Sequence, residues 1–99
     1  MNTKMTKVDI LSYLKEHYQE YKSLYNVEKI GLFGSYARDE ATKDSDIDIF
    51  VTMEPGMFNM IAIKQQIEED LHKKVDIIRE HKNIKPLFLE MIHRDLIYA

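Results

Sequence analysis

The sequence predicts a single α/β (α+β) domain in which helices flank a small mixed sheet of three to four strands. Apolar residues at helical spacing alternate along the chain with short apolar runs of strand length. The composition, 44% hydrophobic and 31% charged residues, is that of an ordinary globular protein. The length of 99 residues suits one core. We therefore expect one domain over residues 1–99, with its elements in the order α-β-α-β-α-β-α.

The first helix is predicted from about Lys7 to Tyr21 or slightly beyond. Apolar side chains recur there every three or four positions, at Val8, Leu11, Leu14, Tyr18, Tyr21 and Tyr25. Thr6 and Asp9 have the spacing of a capping box, which would start the helix by satisfying its first backbone N–H groups.

A strand and a turn are predicted to follow the first helix. The apolar run over residues 27–33 stops at Gly34, which predicts a largely buried strand. Residues 35–41 are expected to form one or two helical turns, because Gly34 gives the bend its backbone freedom and Ser35 can act as a cap.

The second half of the chain predicts a strand, a helix, another strand and a final helix. The strands are expected at about residues 46–52 and at Val75–Arg79. Asn59 and Asn83 are expected to cap the two helices, and Pro86 falls in the first turn of the last one. The inward faces are predicted to carry Met60, Ile63, Ile67 and Leu71 in one helix and Leu89, Ile92 and Leu96 in the other.

Charge and composition exclude several classes of function. The net charge of −3 provides no bulk cationic field, so direct binding of a polynucleotide is not expected. The absence of cysteine excludes disulfides, thiolate nucleophiles and cysteine-ligated zinc. The sequence has neither a secretory signal nor the roughly 20 apolar residues of a membrane span. We therefore expect a cytoplasmic protein without membrane contact.

Two aspartates mark the start of the second strand. Asp46 and Asp48 are one residue apart, so in a strand both carboxylates project from the same face. A solvated strand edge explains an isolated pair of this kind equally well. A third acid, Asp76, lies between Val75 and Ile77 in a strand composed for burial, where an unpaired carboxylate would cost several kcal/mol.

Asp76 therefore needs a compensating cation. One alternative is a buried pair with a lysine or arginine. The other is a divalent ion such as Mg²⁺, bound by all three carboxylates if the third strand lies beside the second. Gly34 and Ser35 add a turn whose free N–H groups and hydroxyl can bind a phosphate, although Gly-Ser alone is usually just a turn.

The combined pattern resembles a known signature. Gly34-Ser35, ten further residues and Asp46-Ile47-Asp48 resemble the DNA polymerase beta nucleotidyltransferase superfamily. The run GSYARDEATKDSDIDIFV is similar to the minimal nucleotidyltransferases of bacteria and archaea, and the similarity continues through Asp76 and Pro86 to Ile97-Tyr98. The resemblance covers nearly the whole chain and implies the nucleotidyltransferase fold.

The resemblance also implies a reaction. Asp46 and Asp48 would bind two Mg²⁺ ions, and Asp76 would complete one metal site and help to activate the attacking hydroxyl. Gly34 and Ser35 would hold the β- and γ-phosphates of a nucleoside triphosphate, with ATP as the donor of AMP. Arg38 would reach the same phosphates, but a surface ion pair with Asp39 or Glu40 explains it nearly as well.

The acceptor is expected to arrive on a partner, because the sequence leaves no room for a module that binds it. Minimal nucleotidyltransferases of this type are often antitoxins that transfer AMP to a tyrosine of a HEPN-domain ribonuclease toxin. Two alternatives stay open: an antitoxin that neutralises by occlusion alone, and an enzyme acting on a small-molecule hydroxyl such as an aminoglycoside. The histidines at positions 17, 72, 81 and 93 have no mutual metal-ligand spacing, and we assign them no role in catalysis.

Overall fold

The computed structural model describes residues 5–99, so residues 1–4 of the predicted domain lie outside the described residues. Within them the chain forms three helices and four strands. In chain order these are α1 (Lys7–Tyr25), β1 (Val27–Phe33), β2 (Ile47–Met53), α2 (Met57–Leu71), β3 (Val75–Arg79), α3 (Pro86–Asp95) and β4 (Ile97–Tyr98). No helix in this part of the chain is long and apolar enough to cross a bilayer.

The four strands form one mixed sheet in the order β3-β2-β1-β4. Strand β1 is antiparallel to both β2 and β4, whereas β2 and β3 are parallel and are joined through α2. A parallel pair needs a crossover of this length, and α2 provides it. The predicted fold class is therefore confirmed.

Helices cover both faces of the sheet. On one face α1 and α2 enclose the larger core, to which the sheet contributes alternate residues such as Ile47, Ile49 and Val51. On the other face α3 packs through Ile92 against Phe33 and Phe50. The second face is therefore covered by one short helix, and the part of it over β2 and β3 is left more open.

Several predicted elements differ in detail. Residues 35–41 form turns rather than a short helix, because Arg38 N–H bonds the Gly34 carbonyl but Glu40 N–H bonds that of Ser35, which breaks the helical series. The chain also ends in a fourth strand where no strand was predicted. A Cβ on Gly31 would lie 2.8 Å from the Ile97 carbonyl oxygen, so the missing side chain lets β4 pack closely on β1.

The helix boundaries confirm one cap and correct two. Thr6 and Asp9 form the predicted capping box, and α1 extends beyond Tyr21 to Tyr25. Helix α2 begins after Gly56 rather than at Asn59. Helix α3 is preceded by Lys85, because Pro86 occupies its first turn and Asn83 lies in the loop before it.

A buried tyrosine network joins α1 to α2. The hydroxyls of Tyr13 and Tyr21 lie 2.7 Å apart, and Tyr13 donates to the carboxylate of Asp70 on α2, so Tyr21 must donate to Tyr13. Burial and these hydrogen bonds raise the pKa of the Tyr13 phenol well above its usual value. The hydrogen bond from Tyr13 lowers the pKa of the Asp70 carboxyl.

We expect Tyr13→Phe to lower the free energy of unfolding by about 1–2 kcal/mol, because it leaves the buried Tyr21 hydroxyl without its acceptor. Urea denaturation of the purified protein measures this change. Tyr25→Phe is the matched control, since the Tyr25 hydroxyl makes no hydrogen bond to residues 5–99. Equal stability of the two variants would contradict a stabilising role for the network.

Candidate active site

Three chain segments meet at one end of the sheet, where β1 ends and β2 and β3 begin. Strand β1 ends at Phe33, which is paired with Asp48 in β2, and Asp48 is in turn paired with Asp76 in β3. Antiparallel pairing brings the end of β1 to the start of β2, and parallel pairing adds the start of β3. The Gly34 turn and the carboxylates of Asp48 and Asp76 are therefore brought together, as the sequence predicted.

Asp48 and Asp76 share the face of the sheet that carries α3. Side chains alternate along β2, so Ile47 and Ile49 enter the larger core while Asp48 points the opposite way, as Phe50 does. Asp46 lies one residue before β2 and is partly exposed. The predicted strand 46–52 is thus shifted by one residue, which leaves Asp46 on the loop at the mouth of the site.

The backbone of Gly34 is in close contact with the Asp48 side chain. Its φ of +78° lies in the left-handed region that residues with a side chain adopt at a cost. A Cβ built on Gly34 would overlap Asp48 Oδ2 and lie 3.0 Å from Asp48 Cγ. The carboxylate therefore rests directly against the backbone of the turn, which only glycine permits.

The turn after Gly34 offers hydrogen-bond donors. The Ser35 hydroxyl makes no hydrogen bond within residues 5–99, while the Ser35 carbonyl accepts from Glu40 N–H at 2.9 Å and closes the turn. Asp39, with φ of 60°, is held by an ion pair with Lys7 at 3.0 Å. A closed turn with a free hydroxyl beside carboxylates can bind phosphate oxygens.

Negative charge is concentrated at Asp48. Partial burial, followed by repulsion from Asp76 and Asp46, raises the pKa of the Asp48 carboxyl from 3.8 to about 6, and Arg38 offsets this only in part. A shift of this size means that the ionised carboxylate lacks an adequate counter-charge in the protein itself. A divalent cation would supply one.

The Asp48→Asn variant is expected to be more stable than the wild type in metal-free buffer at pH 7. A pKa raised from 3.8 to about 6 corresponds to about 3 kcal/mol for a buried group, and solvent screening at this partly exposed carboxyl reduces it to about 1–2 kcal/mol. Because the folded-state pKa is raised, the cost is absent below about pH 4 and grows as the pH rises towards 6.

Thermal unfolding at several pH values in EDTA measures this difference. Asp44→Asn is the control, because Asp44 is exposed in the loop before β2 and its substitution removes the same charge. Wild-type and Asp48→Asn proteins of equal stability at pH 7 would show that Asp48 is not strained by its neighbours.

Arg38 has partners inside the protein. Its Nη1 donates to Asp95 Oδ2 at 2.7 Å and its Nε to Glu40 Oε2 at 3.1 Å. The ion pair with Glu40 is one that the sequence left open, whereas the pair with Asp95 at the end of α3 was not anticipated. Arg38 nevertheless lines a cleft of about 270 Å³ together with Gly34, Ser35 and other residues.

Asp76 is exposed, which corrects the prediction of a buried carboxylate. Strand β3 lies at the edge of the sheet, and the face that carries Asp76 is open to solvent. Its position opposite Asp48 comes from the strand register rather than from burial. The carboxylate that a bound cation would stabilise most is therefore Asp48, whose pKa is raised, rather than the exposed Asp76.

The carboxylate cleft is also lined by residues that the sequence did not identify as part of the site. This cleft of about 520 Å³ contains Asp48 and Asp76 together with Phe33, Lys64 on α2 and Phe88 on α3. It shares Phe33, Asp48 and Phe88 with the cleft at Gly34, so the two are continuous. Lys64 takes part in none of the ion pairs within residues 5–99.

The carboxylates fit Mg²⁺ by their chemistry. They provide hard oxygen ligands, and repulsion at Asp48 would be relieved by a dication. Among residues 5–99, no three acidic or histidine side chains are gathered closely enough to enclose a metal ion by themselves. Mg²⁺ commonly binds through one or two carboxylates and completes its shell with water and substrate phosphates, so this open arrangement suits it.

The known sequences that are similar to this chain indicate one family. A model of the nucleotidyltransferase domain matches residues 8–99. A Methanocaldococcus jannaschii protein named provisionally as a protein adenylyltransferase is 38% identical over 95 residues, which cover 94% of this chain and 97% of the relative. Protein adenylyltransferase MntA of Thermococcus cleftensis is 33% identical, with 96% of this chain and 97% of the relative covered.

Solved structures share the fold. A chain described provisionally as a minimal nucleotidyltransferase superposes with a TM-score of 0.69 at 30% identity, covering 97% of this chain and 98% of the other. The MNT antitoxin complexed with a tri-AMPylated HEPN toxin of Shewanella oneidensis superposes with a TM-score of 0.65 at 16% identity, covering 94% and 71%. The family match covers both the Gly34-Ser35 turn and the carboxylates beside it. This chain therefore belongs to the nucleotidyltransferase family of enzymes.

Proposed function

We propose that this protein is an antitoxin that transfers AMP from ATP to a tyrosine hydroxyl of a HEPN-domain ribonuclease toxin and so neutralises it in the cytoplasm. The observation that carries the proposal is the meeting of Asp48, Asp76 and the Gly34 turn at one end of the sheet, with the pKa of Asp48 raised to about 6 by partial burial and by repulsion from Asp76 and Asp46. Such a site suits a Mg-bound triphosphate.

Each residue of the site has a distinct part in this proposal. Gly34 and Ser35 hold the β- and γ-phosphates, and Arg38 contacts the phosphates from its place in the same cleft. Asp46, Asp48 and Asp76 would hold two Mg²⁺ ions. When bound, these ions supply charge neutralisation at the phosphates and a lowered pKa of the attacking hydroxyl.

The proposed transfer of AMP is a single displacement at the α-phosphorus. The acceptor oxygen forms a bond to the α-phosphorus while the bond between that phosphorus and the pyrophosphate oxygen breaks. In this proposal Asp76 helps to activate the attacking hydroxyl, which gives up its proton as the new bond forms; the exposure of Asp76 beside Asp48 supports this role, because an acceptor can approach it from solvent. Pyrophosphate leaves past the Gly34 turn.

The names of relatives support a protein as the acceptor. MntA of Thermococcus cleftensis is a protein adenylyltransferase, and the structural neighbour from Shewanella oneidensis is an MNT antitoxin bound to a tri-AMPylated HEPN toxin. Another neighbour is a toxin-antitoxin complex with AMP-PNP, which supports ATP as donor. Adenylylation would add bulk and negative charge to a ribonuclease, and the charge would repel RNA phosphates.

Incubation with labelled ATP tests the proposal. The product of the adjacent reading frame, which the proposal expects to be a HEPN-domain protein, should acquire label from [α-³²P]ATP but not from [γ-³²P]ATP, on a tyrosine, and EDTA should abolish the transfer. The other three nucleoside triphosphates, presented separately, test the base preference. Label transferred to an aminoglycoside and not to protein would favour the small-molecule alternative and contradict the proposal.

A further inference from the structure

Two groups of exposed apolar side chains lie on α2 and α3, the helices that contribute Lys64 and Phe88 to the carboxylate cleft. On α2 they are Met57, Phe58 and Ile61, with exposed fractions of 75%, 89% and 44%. On α3 they are Leu87, Phe88 and Met91, with exposed fractions of 77%, 42% and 60%. We refer to these six residues as the apolar band. Side chains of this size, exposed together on two elements, are typical of a surface that binds another molecule.

The apolar band is continuous with the site. A groove lined by Met57 and Ile61 shares Lys64 and Ile77 with the carboxylate cleft, so it adjoins that cleft across the edge strand β3. On the other side, Phe88 lines both the carboxylate cleft and the cleft at Gly34. A protein that presents a hydroxyl to Asp76 would meet Phe88 at the cleft and could extend along the groove lined by Met57 and Ile61.

The band is not needed for the core. Helix α2 is fixed through its buried residues Ile63 and Ile67, and α3 through Ile92 with Leu89 and Leu96. Leu87 and Phe58 contribute little to either core because they are mostly exposed. Stability therefore does not explain why these positions are apolar.

The charges near the band are mainly basic. Residues 79–95 contain the four basic residues Arg79, Lys82, Lys85 and Arg94 against the acids Glu80, Glu90 and Asp95, of which Asp95 is paired with Arg38. Residues 57–64 contain Lys64 and no acid. The whole chain nevertheless has a net charge of −3. A partner with an apolar patch bordered by acidic side chains is the electrostatic complement of this surface.

We infer that the apolar band is the docking surface for the protein that carries the acceptor hydroxyl, with an acidic rim on that protein facing Lys64, Lys82, Lys85 and Arg94. This inference rests on the proposed function. Most of the band is aliphatic, which suits apolar side chains better than stacked bases. A second copy of this chain in a symmetric dimer would place the two basic borders against each other.

Single charges placed in the band test the inference without touching the site. Phe58→Glu and Leu87→Glu alter the two sides of the band, and neither residue lines the clefts that contain Asp48. Val8→Glu and Leu24→Glu are matched controls on α1, because these side chains are 66% and 60% exposed. The affinity of each variant for the adjacently encoded HEPN-domain protein is measured by calorimetry.

Both band variants should bind the HEPN-domain protein at least about ten-fold more weakly than the wild type, and both controls within about two-fold of it. All four should bind Mg-ATP as the wild type does. Band variants with unchanged affinity would overturn the docking inference but not the proposed function. A wild type that fails to bind the HEPN-domain protein would overturn both.

Sedimentation of the protein, alone and with single-stranded RNA, tests whether another molecule binds the band instead. A wild-type dimer that dissociates in Phe58→Glu and Leu87→Glu would assign the band to a second copy and overturn the inference. Tight binding of single-stranded RNA, lost in the same variants, would also overturn it. A wild-type monomer that binds no RNA is the result expected.

Discussion

Asp48→Asn is expected to reduce the rate of nucleotidyl transfer by a factor of about a thousand or more. The substitution removes the carboxylate that lies against the Gly34 turn, is paired with Asp76 in the sheet, and has its pKa raised by burial and by its acidic neighbours. If Asp48 holds the metal ions as proposed, its loss removes several kcal/mol of charge stabilisation in the transition state, and each 1.36 kcal/mol is a factor of about ten. Initial rates of AMP incorporation measure the loss.

Asp44→Asn provides the matched control for this loss. It removes one negative charge from the exposed loop two residues before Asp46, so it should retain nearly the full rate. Because Asp48→Asn is also expected to be more stable than the wild type without metal, unfolding cannot account for its inactivity. A transfer rate within about ten-fold of the wild type would contradict the assignment of Asp48 as a metal ligand.

Gly34→Ala is expected to reduce transfer by about a hundred-fold and to lower the free energy of unfolding by about 1–2 kcal/mol. The added Cβ would be strained at φ of +78° and would displace the Asp48 carboxylate that it overlaps. Displacement of that ligand by about 1 Å is enough to cost a hundred-fold in rate. Transfer kinetics and urea denaturation of the same preparation measure the two effects.

Gly56→Ala is the control for Gly34→Ala. Its added Cβ would meet only atoms of Asn59, at 3.8 and 3.9 Å, and its φ of −177° is ordinary extended backbone. The same chemical change should therefore leave transfer unaffected and change stability by a few tenths of a kcal/mol. Equal losses in both variants would show that Gly34 has no special role in placing Asp48.

Local patterns predicted most of the fold. The capping box at Thr6 and the apolar runs at β1 and β3 are each determined by neighbouring residues, and the structure confirms them. Strand β4 was missed because two residues, Ile97 and Tyr98, cannot show a period. Its place depends on the close approach allowed by Gly31, a contact between distant parts of the chain.

The carboxylates were predicted from sequence, but the reasoning for Asp76 was wrong. Flanking apolar residues suggested burial, yet β3 is an edge strand and Asp76 is exposed. Asp76 belongs to the site because the parallel register places it opposite Asp48. Lys64 and Phe88 could not be predicted, since their helices reach the cleft only through tertiary packing.

Arg38 shows a further limit of sequence reasoning. The sequence offered Asp39 and Glu40 as its neighbours, but in the structure Asp39 pairs with Lys7, and Arg38 reaches Asp95, 57 positions along the chain. That ion pair connects the Gly34 turn to the end of α3. The side chain keeps a place in the cleft, and its contact with phosphate stays a prediction.

Residual ribonuclease activity of the HEPN-domain protein is the most direct test of the central claim, that the carboxylates neutralise the partner by nucleotidyl transfer. The toxin is incubated with Mg-ATP and either the wild type or the Asp46→Asn, Asp48→Asn double variant, repurified and assayed on RNA. The toxin should be inactive and adenylylated after the wild type, and active and unmodified after the double variant, although both form the complex. Full, lasting neutralisation by the double variant would contradict catalysis as the mechanism.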